Sequence, residues 1–241
     1  MRVLVKQPGE RLVERERFGA AVVDVEPIGV EPRGLVAPGD PLHALATVDG
    51  AVVQLAIGGG DDGERYLVTL RAELADGAVG EREIEVAVVE SAWTLPDGGA
   101  PYLSIGDFVR AVGLDEVVRM TDAAGSGRID RELLVGALTH AQAIVDAHLA
   151  GRYRLPLAVV PPIVAVALSD IARVRLYRDE PPKGIAEAGK AAARTLERIQ
   201  GGQMPLDVAT AGAEQPGAAP SAAPVLVSPG RRQYPDGLAD Y

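Results

Sequence analysis

Over residues 1–92 apolar and polar residues alternate in short runs bounded by Gly, Pro and Asp, a period of two that predicts β-strands. The clearest case runs from Glu64 to Leu74, pauses at Ala75-Asp76-Gly77, and resumes from Glu81 to Val89. An Asp-Gly pair between two alternating runs predicts a hairpin. Upstream, Ala51–Ile57 followed by Gly58-Gly-Gly-Asp-Asp-Gly63 reads as a further strand and hairpin loop. Short strands at this spacing predict a small sandwich or barrel.

The period then changes. Trp93 to Pro101 is rich in Pro, Gly and Asp and reads as a hinge. Ser104-Ile-Gly-Asp107 is a capping box for a helix over Phe108–Val112 that stops at Gly113, and Leu114 to Met120 forms a second short helix. Asp130 caps a longer one, in which Leu134, Ala137, Leu138, Ala141, Val145, His148 and Leu149 recur at three- and four-residue spacing, with Ile129 and Leu134 as a hydrophobic staple. Pro161-Pro162 sets off a helix from Ile163 to about Tyr177, and an Ala-rich helix follows over Ile185–Gln200. After Leu206 the chain turns to Ala, Gly, Pro and Ser, a composition that buries too little apolar surface to fold alone.

The pattern predicts an α+β chain with segregated domains. An acidic β domain, a small sandwich or barrel, occupies residues 1–92, and residues 93–101 are a linker. An α-helical bundle of four or five helices spans 102–206, and 207–241 is a flexible linker with an extended tail.

Composition narrows the function. With 47% hydrophobic but 4% aromatic residues, the cores are built from Ala, Val, Leu and Ile. The absence of cysteine excludes disulfides, thiolate metal sites and a cysteine nucleophile. The apolar run at the N-terminus is too short for a signal peptide, and no stretch is long enough to span a membrane. The net charge of −10 belongs to the front half, with 9 basic and 17 acidic residues over 1–92 against 13 and 12 over 100–205. Such a front half is poorly suited to gripping phosphate backbones, which need Lys and Arg, but is compatible with DNA passing nearby.

The chain offers little recognisable chemistry. His43 stands apart in the β half, and His140 and His148 are two helical turns apart, too far to share a metal. The Gly58–Gly63 stretch lacks a Lys and leads into a strand rather than a helix, unlike a phosphate loop. Asp122 to Leu133 has the first Asp, the sixth-place Gly and the eighth-place Ile of a calcium loop. It departs from that pattern at Ala124 and at Leu133, where a bidentate Glu should close the shell. Ser104, Ser126 and Ser169 have no nucleophile-elbow setting. No cofactor or metal is expected.

The helical half carries a resemblance. Val145-Asp146-Ala-His-Leu149-Ala-Gly-Arg152-Tyr153-Arg-Leu155-Pro156-Leu157, then Pro162, then Asp170-Ile171-Ala172-Arg173-Val-Arg-Leu176-Tyr177, resembles the Mu-like phage head-tail connector family. Tyr102-Leu-Ser, Asp107-Phe108, Thr121-Asp122, Ile129-Asp130 and Leu196-Glu-Arg-Ile199-Gln-Gly-Gly-Gln203 extend it in the same order, over roughly 100–206. His148 stands where the family often has an aromatic residue. The family implies a structural adaptor, not an enzyme. It would bind below the portal protein and form a ring of neighbouring copies, twelve in many phages, meeting a stopper or tail terminator protein below. Double-stranded DNA would pass through without specific binding. Its place would be the virion neck, reached from the host cytoplasm during assembly.

On that view Asp146, Arg152, Tyr153, Leu155, Pro156, Leu157, Asp170, Ile171, Ala172 and Arg173 are structural residues of the bundle, whose helical faces would supply subunit contacts. The tail is the expected docking element: Val225, Leu226 and Val227 add a strand to the portal, while Arg231, Arg232, Tyr234 and Tyr241 anchor on either side. The β domain would be an immunoglobulin-like decoration facing another partner. Competing readings are a stopper or tail-completion protein of the same neck, a hydrolase using carboxylates, which would need a polar cleft of convergent groups, and a DNA-binding regulator, which the charge opposes.

Overall fold

The computed structural model describes residues 2–177 and 179–209. Among these, strands come first: β1 (Arg2–Lys6), β2 (Leu12–Arg17), β3 (Val22–Val25), β4 (Gly29–Pro32), β5 (His43–Asp49), β6 (Val52–Gly58), β7 (Arg65–Leu74) and β8 (Val79–Val88). Five helices follow: α1 (Ile105–Val112), α2 (Leu114–Thr121), α3 (Arg131–Leu149), α4 (Pro162–Leu176) and α5 (Lys183–Gln200). The segregated α+β order read from the sequence is the order observed, and none of the helices is long and apolar enough to cross a membrane.

The strands make two facing sheets. One has the order β2-β6-β5; the other runs β1-β8-β7-β3, with β4 also on β7. Because β3 and β4 both pair antiparallel with β7, they share the place of one long strand. Counted so, the second, fifth and fourth strands face the third, sixth and seventh, which is the immunoglobulin arrangement, and β1 closes the larger sheet parallel to β8. The two-residue period decides which residues fill the middle. Val53, Leu55 and Ile57 point inward from β6, facing Tyr66, Val68 and Leu70 of β7 and Ile84, Val86 and Val88 of β8. Tyr66, near the start of β7, has its hydroxyl pinned between the Asp61 N–H at 3.2 Å and the Asp40 carbonyl at 3.4 Å, which fixes the corner where the chain changes sheets.

That corner corrects one expectation. Residues 58–63 are not a hairpin loop, because β6 pairs with β2 and β5 while β7 pairs with β8, β3 and β4. The glycines serve a crossover between sheets: at Gly60 (φ +97°) a Cβ would lie 2.7 Å from the Val88 side chain. The Asp76-Gly77 hairpin is as expected, with Gly77 at φ +82°.

Two helices are capped by the expected side chains, α1 starting at Ile105, ahead of the Phe108 read from the sequence. Ser104 Oγ accepts from the Asp107 N–H at 3.0 Å, and Asp130 accepts from the Leu133 N–H at 3.1 Å. Gly113, at φ +100°, ends α1 and at once begins α2. Leu134, Leu138, Ala141, Val145 and Leu149 of α3 bury one stripe against Val164 and Leu168 of α4 and Leu196 and Ile199 of α5, with Phe108 fully buried beneath. Each large aliphatic or aromatic side chain in this set contributes about 1.5–3 kcal/mol by leaving water.

This core continues into the sandwich through Ala87, Val89 and Val5. The turn between α2 and α3 is tied down at the same place. The Ile129 N–H donates to Gly63 O at 2.8 Å, the Leu35 N–H to Ser126 O at 2.8 Å, and Arg128 Nη2 to Asp62 O at 2.8 Å. Glu64, fully buried, accepts from the Gly34 and Arg65 N–H groups at 2.8 and 3.0 Å and faces Arg128 at 3.5 Å.

Candidate interaction surface

The motif residues of the helical half gather at two places. The first is the loop after α3. Tyr153 is buried there, and its hydroxyl accepts from the Leu206 N–H at 2.9 Å, while the Arg154 N–H donates to Ala209 O at 3.1 Å. Gly202, at φ +75°, lies so close to the Arg152 guanidinium that a side chain there would displace it. The segment 202–209, which leads to the tail, is therefore laid along the Arg152–Leu157 loop. Pro156, Leu157, Ala158 and Val159 line a shallow groove of about 290 Å³ together with Val208 and Ala209. Val159 is 71% exposed at its rim.

Beneath that loop lies a polar knot. The buried Gln142 takes the Tyr102 N–H on Oε1 at 2.9 Å and donates from Nε2 to Ala100 O at 3.2 Å, which straps residues 100–102 onto α3. The Tyr102 hydroxyl accepts from the Leu157 N–H at 3.2 Å and faces the Asp146 carboxyl. Burial raises the pKa of both: the phenol is pushed up by desolvation and by Asp146, and the carboxyl by desolvation, which its contact with Tyr102 only partly offsets. Asp146 Oδ1 has no hydrogen-bond partner among the described residues.

The second place is where α4 meets α2. Arg173 holds Glu116 in a fork, Tyr177 donates its hydroxyl proton to the same carboxylate at 2.9 Å, and Arg119 Nη2 donates to the Tyr177 oxygen at 3.1 Å. Burial works against ionising Glu116, but the Arg173 and Tyr177 hydrogen bonds outweigh it and hold the carboxyl below its usual range. Ala172 is buried, Ile171 half-buried, and Asp170, one turn before Arg173, has its pKa raised by burial. Beside this network a mixed groove of about 540 Å³ runs between α2, α3 and α4, lined by Leu133, His140, Arg175 and Tyr177 among others.

The residues with other conceivable chemistry are engaged locally. Both carboxylate oxygens of Asp122 are turned onto the following loop, accepting from Ser126 N–H at 2.8 Å and Gly127 N–H at 2.6 Å, so this Asp closes a turn. His148 Nδ1 lies 2.8 Å from Ile144 O, and among the described residues no group of three His, Asp or Glu is placed to hold a metal. Gln142, Glu116 and Glu64 carry no signal in the sequence, because the contacts that tie them across the fold, to Tyr102, Arg173 and Gly34, span 40, 57 and 30 positions. The expected docking residues Val225, Leu226, Val227, Arg231, Arg232, Tyr234 and Tyr241 lie outside the described residues.

A family model described as Bacteriophage Mu, Gp36 matches residues 102–223, which takes in both motif clusters and the segment laid along the first. No curated protein matches the chain.

Proposed function

The chain belongs to the Bacteriophage Mu, Gp36 family, and from that premise we propose that it is a structural protein of the tailed-phage neck, an adaptor that forms a ring below the portal and joins head to tail. The observation that carries this reading is the use made of the motif. Tyr153 and Arg154 hold the chain at Leu206 and Ala209, so the motif loop of the bundle fixes the segment that precedes residues 210–241. A folded bundle followed in sequence by a Pro- and Ala-rich stretch suits a protein whose work is to dock: the bundle builds the ring, and Val225–Val227 with Arg231, Arg232, Tyr234 and Tyr241 engage the portal. The motif's Arg173 supports a building role, since it is engaged with Glu116 across two helices.

Removal of residues 221–241 tests it. The truncated chain should keep its helical signal and unfolding midpoint while losing capture by the portal protein; capture at full-length strength would refute the docking role. Portal complexes carrying a single copy of the chain would refute the ring.

A further inference from the structure

The two outer faces of the sandwich carry opposite charge. On the larger sheet, register sets Asp24 beside Glu73, Arg71 beside Glu81 and Glu83 beside Thr69, with Glu31 one row on. These carboxylates are exposed, and Arg71 is already paired with Glu81 at 2.6 Å. Asp24 directly opposite Glu73 is a like-charge pair that weakens its own sheet, so the fold gains nothing by it.

The outer face of the smaller sheet differs. Its first row is Val13, Ala56 and Leu45, with Val13 55% and Leu45 69% exposed. The rows beyond are Arg15, Gln54, Thr47 and then Arg17, Val52, Asp49. Arg15 and Arg17 are exposed and have no ion-pair partner among the described residues, which leaves this face apolar and basic.

We propose that the acidic face of one copy docks on the Arg15/Arg17 face of the next. Being the two outsides of one sandwich, the faces look in opposite directions, so the contact is head-to-tail and repeats from copy to copy. Arg15 and Arg17 then meet the carboxylates of the neighbour, and Val13 and Leu45 are covered. The proposal rests on the ring reading only for closure of the series, and it assigns the sandwich, as well as the bundle, a subunit contact.

The test is charge exchange in the full chain. One variant carries Arg15→Glu and Arg17→Glu, the other Glu73→Lys and Glu83→Lys; both change exposed side chains, and circular dichroism checks that both fold. Mass photometry and sedimentation follow assembly at low and high salt. Wild type should assemble, less so at high salt, because exposed charges are screened beyond about 8 Å at physiological ionic strength. Each variant alone should need about tenfold more protein or greater. An equal mixture should assemble again, since each variant's altered face complements its partner's. Wild-type-like assembly of either variant alone, or a mixture no better than its components, overturns the contact and leaves the ring reading standing. A wild-type chain that stays monomeric at low salt also overturns the contact, while the ring is judged separately from copy number on the portal.

Discussion

Arg173 on α4 grips Glu116 on α2 through two parallel hydrogen bonds, Nε to Oε1 at 2.8 Å and Nη2 to Oε2 at 2.6 Å. The planar guanidinium is what makes this possible, and a lysine offers a point charge instead. The fork joins a short helix of the bundle to a long one, with Tyr177 and Arg119 closing the far side.

Arg173→Lys should therefore lower stability by about 1–2 kcal/mol at neutral pH, the cost of a partly exposed charge-assisted pair. Because the Glu116 pKa lies below its unfolded value, the contribution is complete above the ordinary carboxyl pKa of about 4.3 and is lost as pH falls through the lower folded value. Thermal melts from pH 7 to pH 3 should show Glu116→Gln flattening part of the acid-side decline. A Glu116→Gln variant with the wild-type acid profile would contradict the assignment.

Tyr153 roots the segment leading to the tail. Tyr153→Phe removes only the acceptor for the Leu206 N–H and should cost about 1 kcal/mol. The sharper readout is hydrogen exchange: the Leu206 amide should exchange faster in the variant while amides within α3 and α5 keep their protection. Equal exchange at Leu206 would mean that the segment is held by its other contacts.

Much of this architecture was legible in the sequence. The helix caps at Ser104 and Asp130, the Asp76-Gly77 hairpin and the stripe from Leu134 to Leu149 are local signals, each set within a few residues. What stayed hidden depends on pairing at a distance. The alternation of Ala51–Ile57 reads the same whether the next strand lies in its own sheet or in the facing one, so the crossover at 58–63 looked like a hairpin. The knot of Gln142, Tyr102 and Leu157 joins residues 40 and 55 positions apart, and no short-range spacing announces it. The motif itself was visible, but not that Tyr153 and Arg173 belong to separate clusters.

The contact between sandwich and turn also makes a prediction. At Gly63, φ is +81° and an added Cβ would sit 2.5 Å from Ile129 O, so Gly63→Ala must push the α2–α3 turn away from the sandwich. Gly77 has nearly the same φ, +82°, with open space around it, and supplies the control. Denaturant unfolding should show Gly77→Ala losing about 1 kcal/mol from backbone strain alone and Gly63→Ala losing at least about 2 kcal/mol. Equal losses would show that the close approach at Ile129 adds nothing.

Asp146 offers the opposite sign. Its pKa is raised by burial, so the folded chain holds the proton more tightly than the unfolded chain does. Stability from this residue is therefore greatest below the unfolded carboxyl pKa and declines as pH rises through the raised folded value, leaving a cost at neutral pH. One carboxylate oxygen, Oδ1, gains no hydrogen bond in return. Asp146→Asn keeps the shape and an acceptor toward Tyr102 while removing the charge, and should raise the melting temperature at pH 7 relative to wild type, the difference closing as pH falls toward 3. If the variant instead melts lower than wild type at pH 7, the ionised carboxylate is a net stabiliser of the Tyr102–Leu157 knot. If it melts higher, the ionised carboxylate costs the fold stability at neutral pH, as its burial requires.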